Sequence, residues 1–400
     1  MKKKIMKYNV CVIGGCGHVG LPLAILLASK GQEVCIYDTN EKAIELTKAG
    51  IIPFMEEGAE SLLKQVLKSN KLHFSATPDV VTESETAVLI IGTPVDEHLN
   101  PKFGIMKNVI DELVPYLYDG QLLVLRSTVY PGLSKRINVW FIEAGKNIHV
   151  AFCPERILEG KALEEMENLP QIISSFTEEG VQRASALFSL LTKDLVVVEP
   201  MEAELAKLFT NSWRYLKFAI ANQFYMIAND FDLDFYNIYH AMTYNYNRTK
   251  DFPRPGFAAG PCLFKDTMQL SAFHNNNFFL GHTAMLINEG LPNYVVSQLG
   301  KQYTLSEKKI GILGMAFKAE SDDIRESLSY KLKKILEIEA KQVLCADPYV
   351  HDATLADEKT VLQESDIIII AAPHKRYKDL KIKDKKVVDI WNILNNGGKI

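Results

Sequence analysis

What this 400-residue sequence lacks narrows it before any motif is read. Its six cysteines (Cys11, Cys16, Cys35, Cys153, Cys262, Cys345) form no CxxC pair, and Cys11, Cys35 and Cys345 lie in apolar strand-like runs. That is the pattern of reduced thiols in the cytoplasm, with no metal expected. There is no basic excess: 45 Lys+Arg against 49 Asp+Glu leave a net charge of -4, so no overall positive field draws nucleic acid or an anionic membrane. There is no long apolar run either. The start, MKKKIMKYNVCVIGG, passes from basic to apolar but breaks at glycines, too soon for a signal peptide or a membrane span, and reads as a strand. No low-complexity linker or short-period repeat divides the chain. Glycine and proline are missing from Glu202 to about Asp230, where Leu205, Leu208, Phe209, Ser212, Leu216, Ala219, Ile220, Gln223 and Ile227 recur at helical spacing. This predicts one long helix.

The rest of the sequence has a regular rhythm. Through the first 200 residues, short β-rich runs (YNVCVIG, EVCIYD, TAVLIIGTP, QLLVLRST, HVAFCPE, LVVVEP) alternate with amphipathic helical stretches such as LPLAILLASKG, the βαβ pattern of a doubly wound sheet. From Lys308 the rhythm returns. KKIGILGMAFK reads as a strand and glycine turn, SYKLKKILEIEA as a helix, and KQVLCADPYV as a strand ending in Asp347, as EVCIYD ends in Asp38. The expected fold is α/β: two Rossmann-like doubly wound units joined by a long central helix and a helical middle domain, divided at residues 1–200, 201–300 and 301–400.

Only the first unit carries a full set of glycines. GCGHVG, with Gly15, Gly17, His18, Val19 and Gly20, follows an apolar strand and opens a helix, and Asp38 closes the next strand. Gly15 is expected to allow the tight turn, Gly17 the approach of the backbone to a pyrophosphate, and Gly20 close packing of helix on strand, with the phosphates on free N–H groups at the helix start. Asp38 would accept hydrogen bonds from a ribose 2′-hydroxyl and repel a 2′-phosphate, favouring NAD over NADP. IIGTP, with Thr93 and Pro94, and RSTVYPG, with Ser127 and Thr128, end later strands of the same unit and are loop candidates around a nicotinamide.

Four further segments combine reactive side chains with turns: CPERILEG, EAELAKLFTN, GPCLFKD and GMAFKAESDDIRES. Taken in order with the loops above, they resemble the UDP-sugar 6-dehydrogenase family from about residue 8 to at least residue 350. The resemblance implies oxidation of a sugar CH2OH to a carboxylate in four electrons with two NAD+, without release of the aldehyde. An aldehyde must become tetrahedral before it can give up hydride; thiolate addition achieves this, and the resulting thioester is then hydrolysed. On that resemblance Cys262 is the nucleophile and Asp266 the acid that orients water or takes protons. Lys207 and Asn211, four residues apart on one helix face, would hold charge developing on the reacting oxygen. Glu155 would handle the water that attacks the thioester, with Thr128 positioning it. Glu159, Lys265 and Arg325 are expected near the dinucleotide. Phe317 and Lys318, with Glu155, Arg156, Lys207, Asn211, Phe257 and Gly260, are expected near the UDP-sugar. Arg248 and Arg254 are the candidates for an arginine lent to the neighbouring subunit of a homodimer built on the long helix.

Without the resemblance, Cys262 would be one more small buried side chain, Lys207 and Asn211 a solvated helix face, and Arg325 half of a surface ion pair. The chain also departs from the family pattern. The nucleophile is approached through Ala259-Gly260-Pro261, where common members have Gly-Gly-Ser or Gly-Gly-His, and Asp389-Ile390-Trp391-Asn392 stands for a family Asp-x-Arg-Asn. CPER resembles the N-acetylhexosamine branch, whereas Lys265-Asp266 and Glu159-Gly160 resemble the glucose branch, so both kinds of UDP-sugar stay open. Two other functions stay open as well. One is a single-step NAD oxidoreductase of the 6-phosphogluconate or 3-hydroxyacyl type, which would need neither Cys262 with Asp266 nor a second Rossmann-like unit. The other is a non-catalytic nucleotide-binding relative of such an enzyme.

Overall fold

The computed structural model describes residues 6–96, 102–257 and 260–400; the basic start at 1–5 and Ala259 lie outside the described residues. The chain forms two compact units, Met1–Phe209 and Thr210–Ile400.

The first unit is built on eight strands: β1 (Tyr8–Ile13), β2 (Val34–Tyr37), β3 (Leu72–Ser75), β4 (Ser84–Leu89), β5 (Leu122–Leu125), β6 (His149–Phe152), β7 (Gln171–Ser175) and β8 (Leu195–Val197). Their order in the sheet is β3-β2-β1-β4-β5-β6-β7-β8, parallel throughout except between β6 and β7. The first six strands follow the Rossmann order, which reverses between β1 and β4 and opens a crevice at the strands' carboxyl ends. Strands such as β1 and β5 are covered on both faces, which is why they read as continuous apolar runs. LVVVEP does form a strand, but β8 is an edge, with Val196 and Val197 exposed. The helix Gly20–Ser29, expected to be amphipathic, is buried from Gly20 to Ala28 because the helices Ala59–Lys68 and Ala162–Asn168 pack against it.

The long helix exists and runs Pro200–Asp230, with the boundary between the units inside it. Near its start the buried Glu204 accepts the N–H groups of Gly132 (2.5 Å) and Ser134 (2.9 Å). These are orphan donors at the start of the helix Leu133–Glu143, whose capping position is a glycine with no side chain to offer. Burial pushes the Glu204 carboxyl above its ordinary range, against the lowering effect of these bonds.

The second unit holds the helices Phe235–Thr243, Pro261–Phe273 and Phe279–Gln302 and a second parallel sheet. Its strands β9 (Lys309–Leu313), β10 (Gln342–Ala346), β11 (Ile367–Ile370) and β12 (Lys386–Val388) are ordered β10-β9-β11-β12. One apolar core joins helices to sheet: Tyr225, Phe235, Leu291 and Val295 pack with Ile310, Ile312, Leu332 and Ile369. The strand order reverses between β9 and β11, so the turn after β9 has the same topological place as the glycine loop of the first unit. Gly314 makes that turn at φ +94°, where a Cβ would lie 2.6 Å from Ala372. No described helix is long and apolar enough to cross a membrane.

Glu204→Ala leaves two helix-start N–H groups without their acceptor and is expected to destabilise the protein by about 1–3 kcal/mol. Urea unfolding checks this; a midpoint equal to that of the unaltered protein would show that the two bonds contribute nothing.

Candidate active site

The glycine loop sits between β1 and the helix Gly20–Ser29. Its left-handed residue is Gly14 (φ +72°), one position before the glycine expected to make the turn. Gly15 is needed for space: a Cβ there would lie 2.8 Å from the Val12 carbonyl oxygen and from Ile36. A Cβ at Gly20 would lie 2.7 Å from the Gly15 Cα, so helix and strand pack as closely as expected. Nothing lies within 4 Å of a Cβ built on Gly17, which leaves its backbone open to a ligand. The helix begins after Val19 without a side-chain cap; the Leu21 N–H bonds the Gly17 carbonyl (3.0 Å) and Pro22 has none, so the donors for a pyrophosphate come from the glycine turn and Gly20 rather than from the second and third helical positions. His18 packs its ring on Phe54, centroids 4.1 Å apart.

Asp38 ties this turn to the end of β2: one carboxylate oxygen accepts the Cys16 N–H (2.9 Å) and the other the Asn40 N–H (2.9 Å). Beside it, at the point where the strand order reverses, is a cavity of about 380 Å³ whose walls include Gly14, Tyr37, Pro78 and Tyr116. Its lining contains two carboxylates, Asp38 and Glu112, and no basic side chain. Burial and then the charge of Glu112 push the Tyr37 hydroxyl upward. The open glycine, the uncapped helix and this acid-lined cavity fit the pyrophosphate and adenosine of NAD and oppose a 2′-phosphate.

The two loops expected around the nicotinamide are tied together. Thr93 donates its hydroxyl to the Thr128 carbonyl (2.8 Å), and Ser127 accepts the Ile91 N–H (2.8 Å). Pro94 is exposed beside them, its carbonyl accepting the Lys102 N–H (3.2 Å). Glu155, just after β6, is held on both oxygens. One accepts the N–H groups of Arg156 (2.6 Å) and Ile157 (2.9 Å), and the other pairs with the guanidinium of Arg126. Arg126 is 2% exposed, donates also to the Cys153 carbonyl (3.2 Å) and Gln171 (3.0 Å), and lies over the Phe188 ring. Sequence reading missed Arg126; the available signal was an arginine closing the apolar strand QLLVLR. Arg156 donates to the Pro170 carbonyl. Glu159 is half-buried in a loop that Glu56 anchors by accepting the N–H groups of Gly160 and Ala162.

In the second unit the candidate residues Asn211, Cys262 and Asp266 lie on the long helix and the helix Pro261–Phe273. Asn211 donates its amide to a carboxylate oxygen of Asp266 at 2.6 Å, with both side chains buried. The other Asp266 oxygen has no hydrogen bond and lies 3.6 Å from the Lys265 ammonium. Cys262 is the second residue of this helix, one turn before Asp266 and therefore on the same face. Lys207 stands one turn before Asn211 on the long helix, half-buried, with the boundary between the units falling between the two. All six cysteines are thiols, but only Cys262 is exposed. Burial pushes Cys16, Cys35, Cys153 and Cys345 up to about 12 and Cys11 well above its ordinary value, so these five are neutral at physiological pH.

Gly260 lies directly under the Phe317 ring, which a Cβ would approach to 2.5 Å, and the Lys318 ammonium stands 5.4 Å from the centre of that ring. Arg325 forms a two-pronged pair with Asp323 (2.9 and 2.5 Å), and Asp323 in turn accepts the Phe317 N–H on its carbonyl (3.0 Å). Phe257 is packed in the core. The two candidate exchange arginines differ in setting. Both are exposed, but Arg248 lies near the Tyr246 hydroxyl, whereas Arg254 lies over the rings of Tyr236 and Tyr239. Trp391, standing where the family arginine was expected, packs on Gly256 and donates its indole N–H to the Ala371 carbonyl (3.0 Å).

A Rossmann unit with an acid for the ribose, followed by an exposed thiol in register with a buried carboxylate, is the equipment of an NAD-dependent dehydrogenase with a nucleophile at hand. Residues 8–192 match the NAD binding domain of the UDP-glucose/GDP-mannose dehydrogenase family, 201–289 its central domain and 311–396 its UDP binding domain. The chain belongs to this family and is an NAD-dependent UDP-sugar dehydrogenase, so the single-step and non-catalytic readings fall away. It is 29% identical to the UDP-N-acetyl-D-mannosamine dehydrogenase of Methanocaldococcus jannaschii, over 97% of this chain and 93% of that one. To the enzyme of the same name from Yersinia pestis it is 27% identical, over 96% and 100%. Among solved structures, the UDP-D-ManNAc dehydrogenase of Pyrococcus horikoshii superposes with a TM-score of 0.90 at 27% identity, covering 97% of this chain and 96% of that one. A UDP-glucose dehydrogenase from Pyrobaculum islandicum gives 0.87 at 25% identity, covering 97% and 95%.

The contrast among the thiols has a direct readout. Folded protein treated with iodoacetamide at about pH 8 is expected to take one label, on Cys262, with the other five labelled only after unfolding. Labelling of Cys153 or Cys345 at a comparable rate in folded protein would contradict the assignment.

Proposed function

We propose that this enzyme oxidises the C6 alcohol of UDP-N-acetyl-D-mannosamine to the uronate through a thiohemiacetal and a thioester on Cys262. The observation that carries the mechanism is the exposed Cys262 one helical turn before a buried Asp266 that Asn211 holds at 2.6 Å. The choice of sugar rests on the relatives named for that substrate and on the CPER segment. NAD+, when bound, supplies the hydride acceptor, used twice. Cys262 forms a C–S bond to the aldehyde carbon, and its place at a helix start favours the negative sulfur. Lys207 and Asn211 stabilise charge on the reacting oxygen, while Asp266 takes and returns its proton. Glu155, oriented by Arg126, directs with Thr128 the water that cleaves the thioester. Overall one water enters, two hydrides leave the substrate and three protons are released. Residues 1–200 serve NAD, with Glu159 beside it. Residues 201–300 carry the thiol and residues 301–400 the nucleotide end of the sugar, through Phe317 and Lys318.

The working form is a homodimer built on the long helix. Phe209, Trp213, Ile220, Phe224 and Ile227 on this helix, and Phe231 directly after it, are exposed at steps of three, four or seven, an apolar stripe suited to a second copy of the same helix. A reducing compartment such as the cytoplasm suits the six thiols.

A panel of UDP-glucose, UDP-GlcNAc, UDP-ManNAc and UDP-GalNAc is expected to give two NADH per uronate, with UDP-ManNAc turned over fastest. A steady yield of one NADH with a free aldehyde would exclude the two-step mechanism, and preference for another sugar would correct the substrate. Lys207→Ala is expected to lower kcat about 10²–10³-fold. For the dimer, light scattering of the double variant Ile220→Glu/Ile227→Glu is expected to give the monomer mass, and a monomeric unaltered protein would end the proposal.

A further inference from the structure

The second sheet copies the plan of the first and adds a buried clamp. After β10, Asp347 takes the N–H groups of Met315 (2.6 Å) and Ala316 (3.0 Å) on one carboxylate oxygen, and those of Tyr349 (2.8 Å) and Val350 (3.1 Å) on the other. After β11, His374 contacts the same carboxylate through Nε2 (3.0 Å), while its Nδ1 lies 3.0 Å from the Glu320 backbone N–H. A backbone N–H can only donate, so Nδ1 is the acceptor and the proton of the neutral ring is on Nε2, directed at Asp347. Both side chains are fully buried. Burial alone would raise the Asp347 carboxyl, but the His374 bond and the N–H donors outweigh it and hold it below its ordinary value.

Glu320 is an unusual anchor point. It is left-handed without being glycine (φ +52°), and its carboxylate accepts the Lys375 N–H (2.7 Å) and the Tyr349 hydroxyl (3.2 Å). The turn after β9 is thus gripped at Met315–Ala316 by Asp347 and at Glu320 by His374, and between the grips lie Phe317 and Lys318. Gripping of this kind fixes a binding loop by locking its backbone donors, leaving the side chains between them to face a ligand.

We propose that His374 and Asp347 are positioning residues that set the geometry of the turn 315–320 for the nucleotide end of the substrate. The proposal rests on the reading of Phe317 and Lys318 as substrate contacts, and all these residues fall within the match to a UDP binding domain. Neither positioning residue is required to touch the reacting sugar.

The test uses the full-length protein with UDP as the probe in calorimetry, alongside steady-state constants for UDP-sugar and NAD and the thermal midpoint. His374→Leu is expected to weaken UDP binding and raise the KM for UDP-sugar about tenfold or more, with kcat and the KM for NAD within about twofold. His374→Gln, whose amide can still donate to Asp347, is expected to lose less. If the leucine variant does not fold, the glutamine variant and Tyr349→Phe, which removes one bond to Glu320, carry the same expectation in smaller measure. Unchanged UDP affinity in these variants, with a weakened Lys318→Ala, would overturn the positioning role. Unchanged affinity in Lys318→Ala as well would overturn the reading of the turn itself. A parallel loss of UDP affinity, NAD affinity and thermal midpoint would show a general packing role and would also overturn the proposal.

Discussion

The hydrogen bond from Asn211 to Asp266 is the constraint on which the proposed thiol site depends. A carboxylate with no exposed surface is costly to leave without donors, so the long helix and the helix Pro261–Phe273 are held in the one register that brings amide and acid together. That register carries Cys262 with it, one turn away on the same helix. Pro261 at the first helical position and Gly260 just before it (φ +94°) complete the constraint. Proline starts the helix without wasting an N–H, and glycine fits under the Phe317 ring where a side chain could not. The thiol's helix is therefore placed by a buried polar bond and two backbone restrictions.

The same economy recurs at the ends of the two sheets. Each unit follows the second strand of its first βαβ pair, β2 or β10, with an aspartate, Asp38 or Asp347, that reaches back to the N–H groups of the turn after the first strand. In the first unit one bond is used, and the open backbone at Gly17 remains for the dinucleotide. In the second the turn is gripped more fully, by Asp347 at Met315 and Ala316 and by His374 at Glu320. Glu155 follows the related logic of a carboxylate whose orientation is set from behind, here by an arginine sealed from solvent.

How much of this was legible in the sequence follows from the range of the interactions. The glycine loop, Asp38 and the long helix are written in local spacing, and all are found where the spacing puts them. The family resemblance singled out Cys262, Asn211 and Asp266 as candidates, but the hydrogen bond between Asn211 and Asp266 joins residues 55 apart and has no local signature. Arg126 meets Glu155 across 29 residues and His374 meets Glu320 across 54, so both partnerships appear only when the sheets assemble. Local reading also failed where tertiary cover decides. LPLAILLA looked two-faced yet is buried all round, and the turn's left-handed residue proved to be Gly14, where the Ile90 carbonyl leaves no room for a Cβ.

The central claim is a covalent bond between Cys262 and the oxidised sugar carbon, and intact-mass spectrometry tests it most directly. Glu155→Gln, mixed with UDP-sugar and NAD+, keeps the thiol and impairs the cleavage of the thioester. The account predicts that the protein gains the mass of one UDP-sugar acyl group and that peptide mapping places it on Cys262. Formation of NADH with no added mass, or an adduct on another residue, would contradict it.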